Sequence, residues 1–252
     1  MEEKKETVTL EKSTLWMIST FVLLVLFAGF LIFSYTGKGS TGNTTAGADT
    51  GNGGTGAQTY GDLSVFNDAS LFPSLGSGST TVIEFSDFQC PYCALASGLP
   101  TWTSQSQFSQ YADLIGSAGK VEELASQGKI KFIYVSMSFL GQESVYAAQA
   151  GLCANEQDKF WEMHDAIFKA SDAPSENTGK YSKANLEIIA KGISGLDTSK
   201  FNTCLESDKY ASAVQQSAQA ASGAGVQGTP TFFVNGKQVS ASWNALSAAI
   251  NA

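Results

Sequence analysis

The feature that most constrains this chain is a pair of cysteines, Cys90 and Cys93, that directly follows a strand-like run at residues 81–86. Two thiols three residues apart at the start of a helix lie on one face, one turn apart. Their sulfurs can then form a disulfide with little movement of the backbone. Pro91 suits the first helical position, where its missing N–H costs nothing. The pattern predicts a strand, a turn and a helix that begins at a redox-active pair of thiols.

The position of the two thiols predicts different roles for them. Cys90 would lie at the helix N-terminus, where free backbone N–H groups and the helix dipole stabilise a thiolate. Cys93 lies one turn further in and would be the resolving thiol. The alternative is half of a zinc site, which usually needs a second close pair of cysteines or two histidines. Beyond the pair the chain offers only Cys153, Cys204 and the single His164, so we expect no metal.

Residues 15–35 form an uncharged, strongly apolar run that follows a lysine-containing segment, residues 1–14. As a helix the run would be about 30 Å long, which matches the hydrocarbon core of a membrane. The positive-inside rule then predicts a cytoplasmic N-terminus and an extracytoplasmic remainder. The alternative is a cleavable signal peptide, whose apolar region is usually shorter and followed by small residues. We interpret the run as a single-pass signal anchor in the cell membrane.

Residues 36–61 are mostly Gly, Thr, Ser, Ala and Asn. Such a segment buries too little apolar surface to offset the entropy of ordering, so it is predicted to be a flexible tether. Residues 62–252 remain for the globular part, which is enough for one core with an insertion. The net charge of −8 argues against nucleic acid as a specific partner.

The globular part has the pattern of an α/β protein. Strands are predicted at Thr80–Ser86, at residues 130–137 and at Thr231–Val234, with a short strand after the turn Asn235-Gly236. Helical periodicity covers residues 93–127 in at least two pieces, then recurs before a terminal helix at Trp243–Ile250. The intervening helices are predicted at residues 144–156, 159–169, 183–191, 198–207 and 210–221. Two strand–helix blocks therefore flank a helical stretch at about residues 141–225.

Three stretches carry a family resemblance. They are Phe85-Ser-Asp-Phe-Gln-Cys-Pro-Tyr-Cys93, Cys153-Ala-Asn-Glu-Gln-Asp-Lys-Phe-Trp-Glu-Met-His-Asp165 and Val226-Gln-Gly-Thr-Pro-Thr-Phe-Phe-Val-Asn-Gly236. In this order they resemble the DsbA-like thiol–disulfide oxidoreductases. The resemblance covers about residues 79–252. It implies a thioredoxin fold with a helical domain inserted before the last β-hairpin, which matches the block pattern.

The resemblance also implies which residues act on the disulfide. Cys90 resembles the attacking cysteine and Cys93 the resolving one. Glu84, six residues before Cys90, matches a buried acidic residue that helps to move the proton of the resolving thiol. The alternative for Glu84 is a solvated residue on a strand edge.

Four further residues are expected to contact substrate. Pro230, after Thr229, resembles the cis-proline that faces the disulfide and offers backbone groups to a substrate strand; the alternative is an ordinary trans turn proline. Pro91 and Tyr92 lie between the cysteines. Strongly oxidising members of the family carry Pro-His there, and Tyr92 cannot stabilise a thiolate by charge. Residues 99–129 are also longer than the family's usual first helical connection.

Cys153, Cys204 and His164 fall in the predicted helical stretch. In an oxidising compartment we expect the two cysteines to form a structural disulfide. The alternatives are two buried free thiols and a redox relay to the active site. We interpret His164 as a packed or hydrogen-bonding structural residue, because the aromatic and aliphatic residues around it have the spacing of a buried helix face.

These observations predict a membrane-anchored, extracytoplasmic oxidoreductase that introduces disulfides into cysteine-containing exported proteins. No bound cofactor is needed for this exchange. The resemblance implies a quinone-linked membrane protein as the partner that reoxidises the dithiol. We expect a monomer, because related isomerases dimerise through a separate N-terminal domain where this chain has its tether. The alternatives are a reductase or isomerase on the same fold and a redox-inactive peptide-binding chaperone module.

Overall fold

A computed structural model describes residues 61–252 of the chain. The predicted cytoplasmic segment and membrane anchor, and all but the last residue of the predicted tether, lie outside the described residues. Within the described range no helix has both the length and the apolar character that a membrane span requires.

A five-stranded mixed sheet lies at the centre of the described part, in the order β1-β3-β2-β4-β5. The strands are β1 (Ser74–Leu75), β2 (Thr80–Ser86), β3 (Ile130–Ser136), β4 (Thr231–Val234) and β5 (Lys237–Val239). Strands β2 and β3 run parallel, and the other neighbouring strands are antiparallel. The two parallel strands are buried along most of their length, as parallel strands with helices on both faces usually are.

Helices cover both faces of the sheet and form an insertion between β3 and β4. The α-helices are α1 (Pro91–Ser97), α2 (Ser117–Ser126), α3 (Gln142–Asn155), α4 (Phe160–Lys169), α5 (Lys183–Ala190), α6 (Thr198–Glu206), α7 (Ala211–Gly223) and α8 (Trp243–Ile250). Short 3-10 helices occur at Leu63–Asn67, Thr101–Ser104 and Ser106–Tyr111. Helix α2 packs on β3 and α8, whereas α3 to α6 pack on one another.

The alternation of side chains along the strands divides the core between the two faces of the sheet. On one face Ile83 and Phe85 pack with Phe66, Ile133 and Phe233. The opposite face carries an apolar cluster that includes Val82, Val121, Phe132, Phe232 and Leu246. Glu84 and Ser86 follow Val82 at intervals of two, so the polar end of β2 lies on the same face as that second cluster.

The α/β fold with a helical insertion, predicted from the sequence, is confirmed for the described residues. The predicted strands match β2 to β5 to within one residue, because each is an apolar run bounded by turn residues. The helical stretch predicted in at least two pieces at residues 93–127 contains α1 and α2, with two 3-10 helices, Thr101–Ser104 and Ser106–Tyr111, between them. No sequence pattern predicts β1, because this strand has two residues and within the described range pairs only with β3.

A disulfide joins α3 to α6 within the insertion. Cys153 and Cys204 are bonded, with their Cα atoms 5.8 Å apart and a sequence separation of 51. Both residues belong to the apolar core that includes Phe160, Met163 and Phe201. The bond therefore crosslinks two helices of the insertion through its own core.

Replacing this disulfide is expected to lower stability much more than activity. In the full chain Cys153→Ala/Cys204→Ala should lower the free energy of unfolding by about 4 kcal/mol, because the crosslink no longer restricts the unfolded chain. Urea denaturation of the variant and the wild type measures the difference. Disulfide exchange at Cys90 and Cys93 should change little. Equal denaturation midpoints for the two proteins would contradict a stabilising role for the bond.

Candidate active site

Cys90 lies at the start of α1, where the backbone leaves free N–H groups. The residue is extended, with φ −66° and ψ 120°, and its side chain makes no capping hydrogen bond. Its own N–H donates to the carbonyl oxygen of Asp87 at 3.0 Å, while its carbonyl oxygen accepts from the Ala94 N–H at 3.0 Å. Pro91 occupies the first turn without requiring a partner. The Cys90 sulfur is therefore placed where the N–H groups of the next turn can stabilise a negative charge.

The two thiols of the pair are in different environments. Both are free, so the structure shows the dithiol form. A hydrogen bond from Cys93 is the largest of the effects that lower the pKa of Cys90 from 9.0 to about 7, and Thr229 and the N–H groups of Tyr92 and Cys93 add to it. Burial raises the pKa of Cys93 well above its usual range, and the Cys90 sulfur raises it further. Cys90 is thus the better nucleophile and Cys93 remains protonated at neutral pH.

Thr229, which precedes Pro230, contacts the Cys90 sulfur. The Thr229–Pro230 peptide bond is cis. The Cys90 thiol donates to the carbonyl oxygen of Thr229, with 3.4 Å between sulfur and oxygen. Since Pro230 has no N–H, it cannot donate to a neighbouring strand, and β4 begins only at Thr231. The start of β4 thus reaches the dithiol from a segment 139 residues away in sequence.

Glu84 lies in the buried part of β2, beneath the dithiol. Only 2 % of its surface is exposed, and its Oε2 atom has no hydrogen-bond partner in the described part of the protein. Burial raises the pKa of its carboxyl from 4.5 to about 7, although the nearby His164 opposes the shift. Its charge in turn raises the pKa of Cys93. The structure therefore places Glu84 in the interior with Cys93, not on a solvated strand edge.

A carboxylate that the sequence analysis did not single out supports the turn before Cys90. The side chain of Asp87 is fully buried. Its Oδ1 atom accepts from the Gln89 N–H at 2.9 Å and from the Ser144 hydroxyl at 2.6 Å. Its Oδ2 atom accepts from the N–H groups of Phe139 and Leu140 at 3.1 and 3.2 Å. One side chain thus holds together the turn at Cys90, the loop after β3 and the first turn of α3.

Gln89, the residue directly before Cys90, extends this network into the helical insertion. Its Oε1 atom accepts from the Asn177 N–H at 2.6 Å. Its side-chain amide donates to the Ser144 hydroxyl at 3.0 Å. The Asn177 side chain donates to the carbonyl oxygen of Leu140 at 2.8 Å. The position of the catalytic turn therefore depends on a loop that lies almost ninety residues later in the chain.

Residues 99–116, which follow α1, return to the active site. Gly98 ends α1 at a φ of +70°, and a Cβ atom there would lie 2.8 Å from the Cα of Gly116, so the close approach requires glycine. Within the returning segment, the ring of Tyr111 packs edge-on against the ring of Tyr92, with 5.6 Å between centroids. Tyr92 itself is 48 % exposed. Tyr111 thus orients an exposed aromatic ring that lies between the two cysteines.

Of the sequence-predicted site residues, the structure brings Cys90, Cys93, Glu84, Thr229 and Pro230 into one region, with Pro91 and Tyr92 beside them. Cys153 and Cys204 are bonded to each other, so the zinc alternative has no further thiolate in the chain. Asp87, Gln89 and Tyr111 were missed. The available signal was a pair of polar residues in an otherwise apolar stretch: Asp87 directly precedes Phe88, and Gln89 lies between Phe88 and Cys90.

A possible group of metal ligands lies at the contact of α2 and α4. One ligand atom each from Glu122, His164 and Asp165 lie within 4.8 Å of one another. However, His164 Nδ1 and Asp165 Oδ1 are already 3.1 Å apart, at hydrogen-bond distance, and Lys169 Nζ lies 3.1 Å from Asp165 Oδ2. The imidazole and the ammonium therefore already contact the two oxygens of the Asp165 carboxylate, which argues for a hydrogen-bond and ion-pair network rather than a metal site.

Comparison with known proteins agrees with this geometry. A probable disulfide bond formation protein D from Bacillus anthracis is 27% identical over 172 residues, which are 68% of this chain and 71% of that protein. The structure of oxidised BdbD from Bacillus subtilis superimposes with a TM-score of 0.57 at 23% identity, over 73% of this chain and 92% of that one. A thioredoxin-like oxidoreductase from Silicibacter pomeroyi gives 0.55 at 27% identity, over 74% and 93%.

The fold and the dithiol define a thiol–disulfide oxidoreductase of the DsbA-like, thioredoxin-fold class. A family model described as Thioredoxin matches residues 112–252, which is more than half of the chain. The match begins after the two cysteines and includes the helical insertion, Thr229, Pro230 and the last β-hairpin. The chain belongs to this thioredoxin family.

The first prediction from the site concerns Asp87. Asp87→Asn should lower the free energy of unfolding by roughly 2–4 kcal/mol. The amide N–H₂ group would face backbone N–H groups whose hydrogen bonds the carboxylate now accepts, and two donors cannot pair. Asp68→Asn is the matched control, since Asp68 is exposed and its side chain accepts only from Ser70 in the described contacts. Chemical denaturation of the full chain measures both variants. Equal losses in the two variants would contradict the anchoring role of Asp87.

The second prediction concerns the pH dependence that Glu84 causes. Its carboxyl has a pKa of about 7 in the folded dithiol form and 4.5 as its ordinary value, so the unfolded chain releases this proton first as the pH rises. The free energy of unfolding should therefore fall by about 3 kcal/mol between about pH 4.5 and pH 7. Glu84→Gln should remove this part of the slope. Denaturation of both reduced proteins across this range tests it, and parallel curves would contradict the buried carboxyl.

Proposed function

We propose that this oxidoreductase introduces disulfides into exported proteins by exchange through Cys90 and Cys93. The observation that carries the proposal is the asymmetry of the two thiols. Cys90 has a pKa of about 7, so about half of it is thiolate at neutral pH. Cys93 is almost fully buried behind it, with only 1 % of its surface exposed. One sulfur can thus be attacked or leave, and the other can only close the ring.

In the proposed reaction a substrate thiolate attacks the Cys90 sulfur of the oxidised pair. A bond forms between the substrate sulfur and Cys90, the Cys90–Cys93 bond breaks, and its electron pair goes to Cys93. Cys93 takes up a proton, for which Glu84 is the proposed donor. A second substrate thiolate then attacks the substrate sulfur of the mixed disulfide, and Cys90 leaves as a thiolate. The substrate is oxidised by two electrons and the dithiol form remains.

The substrate is proposed to bind along the segment that precedes β4. The carbonyl oxygen of Thr229 is 3.4 Å from the Cys90 sulfur, and a substrate strand that pairs with this segment would place its cysteine at the same point. Pro91 and the half-exposed Tyr92 would border the opposite side. Because the contacts are to backbone, such a groove accepts many sequences, which suits an enzyme that acts on newly exported chains.

The cellular setting of the proposal rests on the sequence of the N-terminal part. The apolar run at residues 15–35 would anchor the chain in the cell membrane, with the catalytic part on the extracytoplasmic side. The dithiol would be reoxidised by a quinone-linked membrane protein, and the enzyme would act as a monomer without a bound cofactor. Disulfide formation requires an oxidising compartment of this kind.

The reduction potential of the Cys90–Cys93 pair tests the direction of exchange. Equilibration of the full chain with glutathione buffers should give a value above about −180 mV, in the range of disulfide-forming enzymes. A value near about −270 mV, as for thioredoxin, would instead indicate a reductase. If the Cys90–Cys93 pair does not exchange with glutathione, so that no potential can be measured, the result would indicate a peptide-binding module.

The roles of the two cysteines can be tested by trapping. Cys93→Ala in the full chain should accumulate mixed disulfides through Cys90 with substrate proteins that carry a disulfide: the Cys90 thiolate attacks that bond, one substrate sulfur leaves as a thiolate, and the resolving thiol that would release the complex is missing. Cys90→Ala should lose oxidase activity and trap nothing. Non-reducing gels and mass mapping measure both outcomes, and Cys153→Ala/Cys204→Ala is the control that keeps the active pair. Full activity of Cys90→Ala would overturn the assignment.

A further inference from the structure

Beneath the dithiol lies a polar pocket without an evident route for protons. Glu84 Oε2 and the hydroxyl of Tyr134 are buried and lack hydrogen-bond partners among the described residues. The two residues are directly opposite each other in the parallel β2–β3 pair, so both side chains lie on the same face of the sheet. Tyr134 has only 1 % of its surface exposed. A proton exchanged between Cys93 and Glu84 must therefore pass through further groups before it reaches water.

His164 lies between this pocket and the surface. It is the single histidine of the chain, and 4 % of its surface is exposed. Its ring packs nearly perpendicular to the ring of Tyr134, with 5.0 Å between centroids. The rings of Phe88, Phe160, Trp161 and Phe168 surround it. An imidazole is the one side chain of this cage that can accept a proton on one nitrogen and donate a proton from the other.

The other side of the imidazole contacts a group that reaches solvent. His164 Nδ1 lies 3.1 Å from Asp165 Oδ1, and the Asp165 side chain is 29 % exposed. Asp165 and Glu122 line a surface cavity of about 300 Å³ with Ser97, Gly119 and Ser126. This cavity opens at the contact of α2 and α4. The imidazole therefore bridges the buried Tyr134 ring and a water-accessible carboxylate.

We propose that His164 is a proton-relay residue that connects Glu84, through the Tyr134 hydroxyl, to solvent at Asp165. The proposal rests on the roles of Cys90 and Cys93 given above. His164 delivers protons to Glu84 and does not act on a sulfur. It is therefore a positioning residue and is not itself oxidised or reduced.

The relay balances in both directions of exchange. When the Cys90–Cys93 bond breaks, Cys93 leaves with the electron pair and takes the proton of the Glu84 carboxylic acid. The Glu84 carboxylate is then reprotonated from the His164 ring through the Tyr134 hydroxyl, and the His164 ring regains a proton from water in the cavity by way of the Asp165 carboxyl group. When the dithiol is reoxidised, Cys93 gives its proton to Glu84 and the same transfers run outward. The relay residues are neither oxidised nor reduced.

The charged and titratable groups around the imidazole come from every element packed against it. Strand β2 contributes Glu84, strand β3 Tyr134, helix α2 Glu122, and helix α4 Asp165 and Lys169. The attraction of His164 is the largest effect that opposes the raised pKa of Glu84, and it likewise opposes the raised pKa of Glu122. The imidazole thus interacts with one carboxyl group on the buried side, Glu84, and with one on the cavity side, Glu122.

The test compares proton-dependent kinetics in matched variants. Reduction of the disulfide form of the full chain by dithiothreitol is followed by stopped-flow fluorescence from about pH 5 to pH 9, in H₂O and D₂O. His164→Gln keeps a polar side chain that cannot relay a proton, and Phe168→Leu is the control that loosens the same cage. In His164→Gln the rate near pH 7 should fall by about tenfold, the pH profile should change shape and the solvent isotope effect should rise. Phe168→Leu should retain the wild-type profile and isotope effect.

An unchanged pH profile and isotope effect in His164→Gln would overturn the relay, and so would an equal change in Phe168→Leu. If His164→Gln fails to fold, NMR of the single histidine in wild-type protein decides. At pH 7 its ring ¹⁵N chemical shifts should differ between the disulfide and dithiol forms, because the protonation of the ring differs. This difference should disappear in Glu84→Gln. Identical ring shifts in both forms would overturn the relay. Trapping by Cys93→Ala separates the two proposals: if trapping succeeds and the relay test fails, only the relay is wrong.

Discussion

The free backbone N–H groups at the start of α1 are the constraint on which the chemistry of this protein depends. A helix start without a side-chain cap leaves these donors unsatisfied, and here the Cys90 sulfur is the acceptor at hand. The same turn places Cys93 in the interior, where burial disfavours its thiolate. One helical turn thus separates two chemically identical side chains into a nucleophile and a protected thiol. Without this turn the pair would be two ordinary thiols.

The turn holds its shape because it is fixed from outside the helix. Helix α1 is only two turns long and contributes little stability of its own. The Asp87 carboxylate joins the turn to the loop after β3 and to α3, and Gln89 joins it to Asn177 in the insertion. The insertion is therefore part of the active site and not an appended domain. The Cys153–Cys204 bond, which crosslinks α3 to α6, stiffens the same helix that receives the Ser144–Asp87 hydrogen bond.

Local patterns in the sequence predicted the parts of the fold and site that local physics determines. The strands β2 and β4 are short apolar runs bounded by turns, and the spacing of Cys90, Pro91 and Cys93 indicates a helix start by itself. The buried environment of His164 followed from its apolar neighbours on α4. The partners of Asp87, Gln89 and Tyr111 could not be predicted, because they lie in loops whose positions depend on tertiary packing. Nor could the 3-10 helices between α1 and α2 be distinguished from a frayed α-helix, since the same residues suit both.

The geometry of the site keeps the path of the substrate apart from the path of the proton. In the proposed function substrate would approach at Cys90, Tyr92 and Thr229, because Cys93 and Glu84 are almost fully buried. The polar groups behind Cys93 lead in a different direction, towards the contact of α2 and α4. A bound polypeptide would exclude water from the sulfurs and so block proton exchange on its own side. An enzyme that holds a large substrate over its dithiol therefore needs a second route for protons, and the face of β2 and β3 that carries Glu84 and Tyr134 is where this fold can provide one.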